Sequence, residues 1–119
     1  MNLSRQYDDF VDAEDNKLVV LARATRARTG AVEGAALRDL DGRTYAAATV
    51  DLPSLKVSAI GVAVAMAVAS GAKGAEAVVV LTEGDLAPAD LAVLVEFAGP
   101  GVHIHRGTPA GTIVQTLES

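Results

Sequence analysis

Hydrophobic positions along the chain change period several times, and each change marks a new element. Leu18, Leu21, Ala22 and Thr25 recur at helical spacing, which predicts an amphipathic helix. Its start is expected within residues 12–15, where carboxylates face the positive end of the helix dipole. Arg23, Arg26 and Arg28, followed by Gly30, mark its end. These arginines suit the negative end of the dipole and are read as a solvated helix end rather than a phosphate patch. Two extended runs follow, at 31–38 and 44–50, with Asp41-Gly42 between them. Asp-Gly between such runs favours a tight turn, so an antiparallel hairpin is predicted. Asp51-Leu52-Pro53-Ser54 is expected to break the second strand.

Residues 58–70 (SAIGVAVAMAVAS) are apolar all round. A helix without a polar stripe is buried on every side. One small domain rarely encloses a helix completely, so either its own layers or another subunit must cover it. Residues 75–82 form a continuous Val-rich run, the pattern of a central parallel strand covered on both faces. Asp85 and Pro88 are expected to open a third helix that stops at Gly99-Pro100-Gly101. Short strands are expected at 102–106 and 112–117. The order predicts an α/β fold: a mixed sheet of about five strands with an initial antiparallel hairpin and helices on both faces, three layers in all. No repeat or linker divides the chain, so residues 1–119 are read as one domain, with 1–11 as a flexible or docked arm.

Composition narrows the chemistry. The chain has 119 residues, half of them hydrophobic and only 3% aromatic. Ala makes up roughly a fifth, far above ordinary usage, so the core must rely on close backbone approach. A net charge of −5 and a pI near 4.8 argue against a nucleic-acid partner. The absence of Cys excludes disulfides, iron–sulfur clusters, a Cys nucleophile and any thiolate zinc site. The polar, acidic start lacks a secretory pattern, and the longest apolar run is too short for a bilayer, which takes about 20 residues. A cytoplasmic protein with no membrane association is expected.

One stretch carries more. Residues 32–71 read VEGAALRDLDGRTYAAATVDLPSLKVSAIGVAVAMAVASG. This resembles the cytidine deaminase family, in which a Val-Gly-Ala-Ala strand leads through an Asp-Gly turn to Tyr and a small residue, then Asn-Val-Glu. A helix opening Cys-Ala-Glu and closing Ala-x-Ser-x-Gly comes next. Residues 86–97, ending Leu94-Val95-Glu96-Phe97, are similar to the segment after the family's Pro-Cys-x-x-Cys motif. The resemblance extends over most of residues 18–106 and implies a deaminase-like fold, commonly tetrameric.

In that family zinc held by three Cys, or by His and two Cys, activates water, and a Glu that is not a ligand moves the proton. By the resemblance, the first ligand position falls at Ser58, the Glu at Ile60, and the two Cys at Ala87 and Asp90. None keeps the family residue. Ile60 cannot carry a proton, Ala87 has no donor atom, and only Asp90 offers an oxygen ligand. The ribose-holding Asn and Glu correspond to Thr49 and Asp51, and a family Phe corresponds to Ala31. Glu33 puts a charge where the family is apolar. The resemblance therefore implies a degenerate member with vestigial positions Thr49, Asp51, Ser58, Ile60, Ala87 and Asp90, with Ile60 plugging the site beside Ala59, Val62 and Ala87.

Other constellations add little. His103 and His105 share one strand face, but a metal needs more ligands, and Glu83 or Asp85 serve only if they lie close; the pair reads as the polar face of an edge strand. Glu83 and Asp85 read as a polar loop with a helix cap. Gly71-Ala72-Lys73-Gly74 lacks the phosphate-loop spacing and precedes a strand. No metal or cofactor is expected. The leading expectation is a pseudo-enzyme acting as a homo-oligomeric structural or interaction protein, a tetramer before a dimer. One alternative is a nucleoside- or nucleotide-binding module in a remnant pocket; another is an enzyme of different chemistry using Asp51, Asp90, Glu83 or His103.

Overall fold

A computed structural model describes residues 11–119; the expected arm at 1–11 lies almost wholly outside them. Helix α1 (Ala13–Thr29) begins where Asp12 accepts the Asp15 backbone N–H at 2.8 Å, and it ends at Gly30 with φ 69°. Leu18, Ala22 and Thr25 of the predicted stripe are buried, Leu21 is half-buried, and Val19 and Asp15 join the buried face.

Strands β1 (Gly34–Asp39) and β2 (Thr44–Ala48) form the predicted antiparallel hairpin, with Gly34 opposite Ala48. The Asp39 carboxylate organises the turn. It accepts the backbone N–H of Asp41 at 2.9 Å and of Arg43 at 3.0 Å, and the Tyr45 hydroxyl at 2.9 Å. Desolvation pushes this carboxyl up, but those hydrogen bonds outweigh it and hold the group below its ordinary pKa.

The segment expected only to break the chain is instead a second, two-stranded sheet: β3 (Val50–Leu52) and β4 (Leu55–Val57) turn at Pro53-Ser54. Helix α2 (Ala59–Ala69) follows, then β5 (Ala75–Leu81), α3 (Pro88–Ala98), β6 (His103–Gly107) and β7 (Ile113–Glu118). Pro88 opens α3, but Ala87 rather than Asp85 occupies the cap position, with no side-chain cap.

The main sheet runs β2-β1-β5-β6-β7. Only β5 and β6 are parallel; the Val-rich β5 is central, as expected, yet its other neighbour, β1, is antiparallel. Alternation sends Ala36, Ala77, Val79 and Leu81 towards α1, and Ala35, Leu37, Val78, Val80 and Ile104 towards α2 and α3. The result is three layers. Gly34 shows why small residues dominate β1: a Cβ there would sit 2.4 Å from the Ala22 carbonyl oxygen, so α1 crosses the sheet in direct backbone contact.

Helix α2 buries Ala59, Ile60, Ala63, Val64 and Ala67, while Ala65 and Val68 remain exposed. The chain thus covers one side of this all-apolar helix and leaves the other open. Among the described residues, no helix is long and apolar enough to cross a membrane.

Candidate functional site

Ligands of open α/β sheets gather at the carboxyl ends of parallel strands. Here that end of β5 meets the start of β1, the end of β2 and the first turns of α2 and α3. Glu33 stands at its centre. Its Oε1 accepts from Thr49 Oγ1 at 3.2 Å and from the Ala59 backbone N–H at 3.3 Å, while its Oε2 accepts from Thr82 Oγ1 at 3.0 Å. The Glu33 backbone N–H donates to Thr49 Oγ1 at 3.1 Å. A carboxylate is well placed here, because the first N–H groups of α2 lack helical partners and carry the positive end of its dipole.

Beside it, Ser58 caps α2. Its Oγ accepts the Gly61 N–H at 3.0 Å and donates to Asp90 Oδ1 at 2.6 Å. Asp90 lies in the first turn of α3 and is 8% exposed. The first turns of the two helices are therefore tied together by one short, charge-assisted hydrogen bond. Two residues after Ser58, Ile60 is completely buried within the core on the α2 side of the sheet.

Of the six positions singled out in the sequence, this end of the sheet gathers Thr49, Ser58, Ile60 and Asp90. Ala87 is exposed at the α3 cap. Asp51 points to solvent from β3, where its carboxylate pairs with Lys56. Glu33 was visible in the sequence only as a charge ahead of an apolar strand; its role depends on Thr49 and Thr82, which only the fold brings together. Glu83 and Asp85 are exposed.

The family follows from the whole chain. Residues 11–111 match the cytidine deaminase-like family. The chain belongs to it. Three solved structures show how far the likeness extends. Cytidine deaminase from Burkholderia pseudomallei is 25% identical with a TM-score of 0.72, over 85% of this chain and 89% of that one. Cytidine deaminase from Mycobacterium leprae is 25% identical with a TM-score of 0.69, over 88% and 94% of the two chains. Cytidine deaminase from Mycobacterium tuberculosis is 24% identical with a TM-score of 0.68, over 78% and 85%. No curated protein sequence matches the chain significantly. The cytidine deaminase-like fold is thus shared in its elements and in nearly its full length.

A second polar cluster lies across the sheet of this family member, on the α1 side. The sequence suggests an edge strand for His103 and His105, but β7 flanks β6, and His105 is completely buried. Its Nε2 lies 2.8 Å from Asp15 Oδ2, and its Nδ1 shares a 2.9 Å hydrogen bond with Thr116 Oγ1. Arg38 donates to the other Asp15 oxygen at 2.8 Å and to Glu76 at 2.8 Å. Burial pushes the Asp15 carboxyl up, yet the hydrogen bonds and charges of Arg38 and His105 hold it below its ordinary pKa. Burial likewise disfavours the Arg38 cation, and Glu76 and Asp15 more than offset this, raising its pKa. The signal for this cluster was faint: Asp15 sits three residues before Leu18, on the buried stripe, where a helix start also explains it.

Proposed function

We propose that this chain is a cytidine deaminase-like protein that does not deaminate, folds as one domain over residues 1–119, and works as a homo-oligomer, a tetramer before a dimer. One observation carries the reading: Ile60, which the sequence resemblance sets at the position of the family's proton-shuttling Glu, is a fully buried core side chain. A hydrocarbon has no proton to move.

The zinc that the family implies does not fit the residues at its positions. Ser58, Ala87 and Asp90 present a hydroxyl, a methyl and a carboxylate where a thiolate set belongs. The Ser58 hydroxyl is already engaged by Gly61 and Asp90. No cysteine exists anywhere in the chain to replace it. Glu33 adds to this, because its carboxylate occupies the α2 N-terminus that a polar ligand would otherwise reach.

The oligomer rests on α2. Ala65 and Val68 are exposed on an all-apolar helix. Towards its C-terminal half, Val64 and Val68 line a groove of about 250 Å³ with Val93, Glu96 and Phe97 of α3. An exposed apolar surface of this kind suits closed association with further copies.

Three measurements test the proposal. Cytidine deamination by the purified chain should be absent, and Ile60→Glu should not restore it; turnover by the wild type refutes the inactive reading. A nucleoside or nucleotide that raises the melting midpoint would instead favour the remnant-pocket alternative, since a ligand of the native state must stabilise it. Light scattering on a sizing column at low micromolar concentration should give a multimer of the 12.1 kDa chain, and Ala65→Glu should dissociate it. Ala65 is exposed within one chain, so that variant keeps its fold. A stable wild-type monomer refutes the oligomer.

A further inference from the structure

Strand β6 turns two imidazoles towards the α1 side of the sheet, and the first turn of α1 lays a carboxylate against them. Donor atoms of Asp15, His103 and His105 all lie within 4.8 Å of one another. Two of them, His105 Nε2 and Asp15 Oδ2, face each other at 2.8 Å. Each is steered from behind: His105 by Thr116 at its Nδ1, and Asp15 by Arg38 at its Oδ1. Metal-ligating histidines are oriented in this manner, through a hydrogen bond at the ring nitrogen that does not bind the ion, and ligating carboxylates are held likewise.

We propose that Asp15, His103 and His105 form a binding site for one divalent transition-metal ion of the Zn²⁺ type. Two imidazoles and one carboxylate are a donor set such ions take, with a further position left for water or another ligand. On binding, the ion takes the place of the proton between His105 Nε2 and Asp15 Oδ2, and the neutral imidazole keeps that proton by moving it, through exchange with solvent, to Nδ1. His105 Nδ1–H then donates to Thr116 Oγ1, which fixes the tautomer.

The required movement is small. Ligand bonds of about 2.0–2.1 Å at a tetrahedral centre separate donors by about 3.3 Å, so the His105–Asp15 gap widens by roughly half an ångström. His103 supplies the remaining adjustment, because its side chain is 55% exposed and free to change rotamer. Glu118, 3.5 Å from His103 Nε2, is at hand as an outer partner or a fourth ligand. Arg38 does not forbid a cation here, since Glu76 balances its charge from the other side.

This site is on the opposite sheet face from Ser58 and Ile60, and it stands or falls independently of the inactive-deaminase reading. The test uses the full-length chain, free of any affinity tag and stripped by a chelator. Titration with Zn²⁺ in a calorimeter should show one ion per chain, and saturating Zn²⁺ should raise the melting midpoint. His103→Ala should weaken Zn²⁺ binding at least tenfold while leaving the metal-free melting midpoint unchanged, because His103 is exposed. Thr116→Val should weaken it about tenfold, the effect of losing an outer partner. Co²⁺ should give the intense visible absorption of a four-coordinate ion in the wild type and lose it in His103→Ala. The proposal is overturned if the wild type binds no Zn²⁺, or if His103→Ala binds it as tightly as the wild type.

Discussion

Replacing Ile60 by alanine reads directly whether the α2 N-terminus is a filled core or a pocket. The side chain is completely buried among Ala35, Leu37, Ala47, Ala63 and their neighbours in the α2-side core. Truncation removes three carbon groups, and at about 0.8 kcal/mol each the lost transfer energy is about 2.4 kcal/mol. The vacated space is about 75 Å³, and at about 24 cal/mol per Å³ a cavity that does not relax adds about 1.8 kcal/mol. The expected loss is therefore about 2–4 kcal/mol, the upper figure holding if nothing collapses. Small neighbours make collapse hard, because alanines have no side chain to swing into the gap. Urea unfolding followed by far-ultraviolet circular dichroism measures the loss through the midpoint at constant slope. Ile60→Val, which removes one group, should cost about 0.5–1.5 kcal/mol and calibrates the scale. An Ile60→Ala loss below about 0.5 kcal/mol would mean the side chain faces open space, and the argument for a plugged site would fail.

Ser58→Ala removes both the α2 cap and the donor to a nearly buried Asp90; about 1 kcal/mol for the cap and about 1–3 kcal/mol for the orphaned carboxylate give about 2–4 kcal/mol in denaturant unfolding. A double-mutant cycle with Asp90→Ala should return a coupling above about 0.5 kcal/mol, and simple additivity would deny the bond. Gly34→Ala should lower the melting midpoint, since the added Cβ meets the backbone of α1 at 2.4 Å; forced overpacking costs about 1–3 kcal/mol, and an unchanged midpoint in a thermal scan would contradict that contact. Asp39 has a depressed folded-state pKa, so its contribution is present above the ordinary carboxyl value and is lost as pH falls through the folded value. Asp39→Asn should accordingly flatten the fall in stability between about pH 5 and pH 2, measured by unfolding at a series of pH values; an unaltered slope would place the acid sensitivity elsewhere.

The elements with strong periodicity were readable from the chain. Asp-Gly between alanine-rich runs gave the β1–β2 hairpin, and the unbroken valines gave the central β5. The antiparallel β1–β5 pairing was not readable, because a strand buried on both faces looks the same whichever way its neighbours run. The β3–β4 hairpin escaped for a different reason: its three-residue strands are mostly exposed and carry no apolar alternation. At the candidate site, Ser58, Ile60 and Asp90 could be named by position, whereas the Ser58–Asp90 bond joins residues on separate helices. Glu33 needed Thr49 and Thr82 around it to become more than an oddly placed charge. The burial of His105 was not readable because the pattern predicts a strand at 112–117 but carries no sign that it pairs with β6 and covers that edge.

The antiparallel contact between β1 and β5 also sets the order in which this chain can fold. The β1–β2 hairpin closes over a few residues, and α1 and α2 are local by nature. The central pairing joins Gly34 to Leu81 and Asp39 to Ala75, with the second hairpin and the whole of α2 lying between them in sequence. Closing so long a loop costs chain entropy before any core contact repays it, and non-local pairings of this kind slow folding. Helix α2 packs chiefly on β1 and β2, the hairpin that precedes it in sequence, and on α3, so its sheet face is ready before β5 arrives. The slow pairing of β5 therefore completes the sheet, while the stickiest segment of the chain is sheltered first by a hairpin that closes over a few residues.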